Sequence, residues 1–64
     1  MDFVKRKALK ITLRELMGYS KYFSLNVLTI FHSLVTAYNN DLGGWLQEEE
    51  EEIFLLISEA STSI

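Results

Sequence analysis

Residues 24 to 44 have the sequence SLNVLTIFHSLVTAYNNDLGG, which predicts one helix and the turn that ends it. The apolar side chains recur at spacings of three and four, the period of an amphipathic helix. Ser24 can cap the start by accepting a backbone N–H from the first turn. The NNDLGG segment that begins at Asn39 is the clearest break in the chain, because Asn and Gly tolerate the left-handed backbone that closes helices. We therefore expect a central helix over residues 24–39 and a turn over residues 40–44.

A further helix is predicted after this turn, over residues 45–61. Its first turns hold five consecutive glutamates, Glu48 to Glu52. Carboxylates suit this position because the N-terminus of a helix carries partial positive charge. Ile53 and Ile57 then continue an apolar stripe at helical spacing. Two helices joined by so short a turn should form a helical hairpin.

The first 22 residues admit two interpretations. A single basic helix over residues 2–17 fits the spacing of the leucines and the small number of β-branched residues. Alternatively, Thr12 and Glu15 match a capping box, which would start a helix after Thr12 and leave residues 3–11 as a strand or an arm. We favour the single helix. The predicted fold is therefore all-α: a helical hairpin with an additional N-terminal helix or arm.

The composition bears on how such a fold could be stable. The chain has 64 residues, 48% of them apolar, and we expect a single small helical domain over residues 1–64. Domains this short usually rely on disulfides, a metal ion or oligomerisation. The chain has no Cys, and its one His leaves too few ligands for a structural zinc site. We therefore expect two copies to pair into an antiparallel helical bundle.

The residues expected to form the contact are the apolar stripes of the two hairpin helices together with the tryptophan at the turn. They are large, mostly β-branched or aromatic side chains at helical spacing. The predicted self-association or partner face comprises Val27, Ile30, Phe31, Leu34, Tyr38, Trp45, Ile53 and Ile57.

The charges of the chain are strongly segregated. All six Lys and Arg residues lie within the first 21 residues, which carry a net charge of +4, and the rest of the chain carries −7. Such a distribution can bring opposite ends together, within one chain or between two. In the expected dimer, each basic segment would lie beside the glutamates of the partner.

The basic residues of the N-terminal segment also form a candidate patch for phosphates, which contribute salt-sensitive affinity for nucleic acid. If residues 8–13 form a strand, the order of elements resembles the ribbon-helix-helix plan, in which paired strands enter the major groove. The acidic isoelectric point, about 4.9, disfavours this function. The candidate patch comprises Lys5, Arg6, Lys7, Lys10 and Arg14.

The sequence contains no motif for catalysis, and we expect neither an enzyme nor a cofactor, metal or small-molecule substrate. A pocket of about 300 Å³ is difficult to enclose in so small a fold. No apolar segment approaches the roughly 20 residues that span a membrane, so no membrane partner is expected. The absence of Cys is typical of a cytoplasmic protein. The predicted function is a non-enzymatic protein-interaction module acting as a homodimer, with a nucleic-acid-binding regulator as the alternative.

Overall fold

The computed structural model describes residues 3–62, which form three α-helices. Helix α1 spans Phe3–Gly18, α2 spans Leu25–Asp41 and α3 spans Gln47–Thr62. A single 3-10 turn at Ser20–Tyr22 joins the first two helices. Residues 3–62 contain no strand, so the all-α prediction is confirmed.

The N-terminal segment is one continuous helix, as the favoured interpretation predicted. The strand or arm over residues 3–11, and with it the strand of the ribbon-helix-helix alternative, is wrong. The physical reason is the placement of the side chains: Leu9, Leu13 and Met17 share one helix face toward the core, whereas a strand would also turn Ile11 and Glu15 to that side, and both are exposed. Leu13 is buried there, and the other two pack against it.

Helix α2 begins as the sequence predicts. Ser24 has an extended backbone, and its hydroxyl oxygen accepts a hydrogen bond from the backbone N–H of Val27 at 3.2 Å. This bond satisfies one of the four N–H groups that the start of a helix leaves without a helical partner. The predicted cap is therefore confirmed.

Helix α2 ends at Asp41, two residues later than predicted. Gly43 has a φ of 63°, and it is this residue, not the earlier asparagines, that adopts the left-handed conformation. The N–H of Gly44 reaches back to the carbonyl of Asn39 at 2.9 Å, and the N–H of Gly43 reaches that of Asn40 at 3.3 Å. This pair of bonds is the Schellman motif, in which glycine avoids a Cβ penalty.

Helices α2 and α3 pack as a hairpin, and α1 lies against α3. One buried apolar residue from each helix and one from the turn form the core: Leu13, Val35, Leu46 and Ile53. The molecule measures 41 × 19 × 15 Å, with a radius of gyration of 12.0 Å. A compact domain of this length would have a radius of about 10.7 Å, so the fold is elongated and its core is small.

In residues 3–62, no helix has both the length and the apolarity to cross a bilayer.

Candidate functional site

Helix α2 presents one buried surface and one exposed apolar surface beside it. Leu28, Val35 and Asn39 are buried on one side. With that side fixed in the fold, the spacing of the helix turns another set of large apolar side chains toward solvent. We call this set the α2 stripe, and its members with their exposed fractions are Val27 (44%), Ile30 (61%), Leu34 (56%) and Tyr38 (48%).

The helix that carries the α2 stripe has almost no charged side chains of its own. Helix α2 contains no Lys, Arg or Glu, and its only acidic residue is Asp41, the last residue of the helix. The nearest basic residue before it is Lys21, four positions ahead of Leu25. An exposed apolar surface with charge only beyond its ends is typical of a contact surface for another apolar surface.

The other predicted face residues are placed in or against the core. Ile53 is fully buried, so it contributes to the stability of the chain and is not on its surface. Phe31 and Ile57 pack against the core from either hairpin helix. The ring of Phe31 also meets Phe23 edge to face, with centroids 6.0 Å apart. The α2 stripe is therefore the part of the predicted face that remains open to a partner.

Trp45 lies in the turn before α3 and also packs against the core. The prediction that the last helix starts at Trp45 was wrong by two residues, because α3 begins at Gln47. The ammonium of Lys10 lies 4.5 Å from the centroid of the indole ring and donates a hydrogen bond to the Trp45 carbonyl at 3.3 Å. This cation–π contact ties α1 to the turn.

The basic segment and the glutamates meet within one chain. Arg14 Nη2 lies 2.9 Å from Glu49 Oε2, and Arg14 Nη1 donates to Glu52 Oε2 at 3.0 Å. The hydrogen bond to Glu52 and the negative charge of Glu49 raise the pKa of Arg14 above its usual value, against a smaller opposing effect of desolvation. The predicted attraction between the two ends is thus satisfied inside the chain, without a partner's glutamates.

The five residues of the candidate basic patch do not act as one surface. Lys10 and Arg14 are engaged with α3, as described above. Arg6 is half-buried, while Lys5 and Lys7 are exposed. The Lys7 ammonium lies 5.8 Å from the centroid of the Phe3 ring on the same helix.

Glu49 is a structural residue that the sequence interpretation missed. Its side chain is fully buried, 2.9 Å from Arg14 Nη2 and 3.9 Å from Lys10 Nζ. Within the described residues neither carboxylate oxygen accepts a well-aligned hydrogen bond, so the two cations compensate its charge mainly as ion pairs. The sequence feature that could have identified its burial is its position in the helix: Glu49 precedes Ile53 by four residues and therefore shares the inward face of α3.

Asn39 is a further buried polar residue, and it connects the two helices of the hairpin. Its carbonyl oxygen accepts the N–H of Leu46 at 2.8 Å. Its amide nitrogen donates to Gln47 Oε1 and to Glu50 Oε2, each at 3.0 Å. The side chain therefore links the end of α2 to the turn and to the first turn of α3.

The polar contacts of His32 lie between α2 and α3. His32 Nε2 lies 4.0 Å from Glu50 Oε1, and the ring lies beside Phe54 with centroids 6.1 Å apart. In residues 3–62, no three His, Asp or Glu side chains are grouped so as to hold a metal ion. The groove between α1 and α3 is open to solvent and includes Arg14, Met17 and Glu52 in its lining.

Comparison with protein-family models, with curated proteins and with solved structures gives no significant match to this chain.

Proposed function

We propose that this chain is a small non-enzymatic protein-interaction module, an adaptor, inhibitor or regulator that binds through a helix surface. The observation that carries the proposal is the α2 stripe, four large apolar side chains that are each about half exposed. They lie on one side of a helix whose only acidic residue is at its last position. The proposed action is to place this surface against an apolar surface of a protein.

The energetic reason is the area that the stripe leaves in water. Burying a Val, Leu or Ile side chain completely contributes about 1.5–3 kcal/mol. Side chains that are half exposed, such as Leu34 at 56%, leave a corresponding part of this energy to be gained in a complex. An apolar helix face with anchors at positions i, i+3, i+7 and i+11 matches helix-in-groove and helix-pairing modes of recognition.

The alternative, a nucleic-acid-binding regulator, has less support. Two of its five candidate residues, Lys10 and Arg14, are paired with glutamates of α3. The segment that would supply the DNA-binding strand is part of α1. We expect no salt-dependent gel shift with duplex DNA or RNA, even at low salt, where phosphate contacts are strongest. A shift that disappears when Lys5, Arg6 and Lys7 are replaced by Ala would favour the alternative.

The proposed function can be tested in the cell that makes the protein. A photo-crosslinking phenylalanine analogue is placed at Leu34 in one variant and, as a control, at the exposed Ser58 of α3 in another. Illumination should link the Leu34 variant to a protein and leave the Ser58 variant unlinked. The absence of an adduct at Leu34, or equal adducts at both positions, would contradict the proposal.

A further inference from the structure

We infer that a second copy of this chain occupies the α2 stripe, and that the two α2 helices pair antiparallel about a two-fold axis. This inference rests on the proposed function, because it specifies the partner of the same surface. Three properties of α2 support it: the order of side chains along the stripe, the charges beyond its ends, and the exposed length of the helix.

The α2 stripe is complementary to itself when the second helix runs in the opposite direction. With the axis near residue 32, Ile30 lies opposite Leu34 of the second copy, and Val27 lies opposite Tyr38 of the second copy. Symmetry repeats each contact, so the four side chains of one copy meet the four of the other. No charged side chain is placed inside the contact, because none lies between Leu25 and Asn40.

The ends of α2 favour the antiparallel orientation over the parallel one. Lys21 lies just before the helix and Asp41 is its last residue, and both are exposed. Antiparallel pairing brings the Lys21 end of each copy beside the Asp41 end of the other. Parallel pairing would place the like charges together, which is unfavourable in an interface.

The helix dipole adds to this preference. The first turn of α2 has no acidic residue and its last turn has no basic residue. The partial charges at the two ends of the helix therefore lack the side chains that usually offset them. Helix α3 already lies antiparallel to α2 within the chain, and an antiparallel second copy would add a further helix end of opposite sign at each of these positions.

The small size of the contact is typical of a weak, reversible interface. Helix α2 has 17 residues, which corresponds to a length of about 26 Å. Pairing along this length would bury on the order of 1,000 Å² in total, the lower limit for a specific interface. We therefore expect a reversible dimer with a dissociation constant on the order of micromolar.

The absence of Cys in the natural sequence makes the orientation directly testable. Val27→Cys and Tyr38→Cys each introduce a single thiol, and the two proteins are mixed and oxidised. In the antiparallel dimer, position 27 faces position 38, within the roughly 7 Å between Cα atoms that a disulfide allows. The two copies of position 27 are instead about 16 Å apart along the axis. We expect a mixed disulfide dimer, and little dimer from either variant alone.

The control mixes Val27→Cys with Ser58→Cys, whose thiol lies on the exposed side of α3. The mixed disulfide between positions 27 and 38 should form at least ten times faster than this control pair. Rapid dimer formation by Val27→Cys alone would overturn the antiparallel orientation. Equal rates for the test and control pairs would overturn the second copy as occupant. If photo-crosslinking at Leu34 then still captures a different protein, the proposed function stands and only this inference fails.

Discussion

Arg14 Nη2 lies 2.9 Å from Glu49 Oε2, so a partly exposed guanidinium of α1 meets a fully buried carboxylate of α3. Glu52 accepts two hydrogen bonds from the same guanidinium, and Lys10 Nζ lies 3.9 Å from the other carboxylate oxygen of Glu49, Oε1. These contacts hold α1 against α3 in a fold whose shared core is small.

The first prediction concerns the two partners of this ion pair. Arg14→Met should lower the urea midpoint of unfolding more than Glu49→Gln does. The first change leaves a buried carboxylate with only Lys10 at 3.9 Å, whereas the second removes the buried charge itself.

The matched control for that pair is the double variant Arg14→Met with Glu49→Leu. Replacing both members by apolar side chains removes the buried charge and its partner together, which is often neutral for stability. We expect this double variant to be more stable than Arg14→Met alone. Equal midpoints for all three variants would mean that the pair contributes nothing.

The second prediction concerns the asparagine that links α2 to α3. Asn39→Ala should lower the free energy of unfolding by about 1–3 kcal/mol, because the buried N–H of Leu46 loses its acceptor. The neighbouring Asn40 is exposed, and Asn40→Ala should change stability by about 0.5 kcal/mol or less. Urea unfolding followed by circular dichroism measures both, and similar losses in the two variants would contradict the assigned role.

The third prediction concerns the turn. Gly43→Ala should destabilise the chain by about 1–2 kcal/mol, because alanine at a φ of 63° places its Cβ against the following carbonyl. Gly18 lies in α1 with open space where a Cβ would be, so Gly18→Ala should stabilise by about 0.4–1 kcal/mol. Thermal melting compares the two directly. A Gly43→Ala variant that is as stable as the wild type, or more stable, would refute the account of the turn.

The fourth prediction separates the core from the α2 stripe. Ile53→Ala should cost about 2–5 kcal/mol, since it leaves a cavity at a fully buried site. If that variant does not fold, Ile53→Val should still cost about 0.5–1.5 kcal/mol. Ile30→Ala, at a site 61% exposed, should change monomer stability by about 0.5 kcal/mol or less. Unfolding at high dilution, where association is negligible, provides the measurement.

The fold could be predicted from the sequence where the signal was local. Hydrophobic period and the Ser24 cap located α2, and the pair of glycines located the turn, because each depends on residues close together in the chain. The end of α2 was placed two residues early, since an Asn-rich segment can remain helical until a glycine such as Gly43 supplies the left-handed residue.

The roles of Glu49 and Asn39 could not be predicted in the same way. Five consecutive glutamates are locally alike, and register with Ile53 marks Glu49 as inward-facing, but its pairing with Arg14 depends on the position of α1 in space. Asn39 was assigned to the break because Asn favours turns, yet its burial depends on sharing the inward face of α2 with Val35. The α2 stripe was contained in the predicted face, but only the packing of the helices separates its four residues from the core.

The central claim is that a second copy of this chain covers the α2 stripe in the working molecule. Sedimentation equilibrium over a range of concentrations tests it with the wild-type chain, Leu34→Glu, and Ser58→Glu as a control of equal charge. The account predicts that the wild type and the control approach twice 7.4 kDa as concentration rises, while Leu34→Glu remains at 7.4 kDa with unchanged helical content. A wild-type chain that stays at 7.4 kDa at every concentration, or a Leu34→Glu variant that associates equally well, would contradict it.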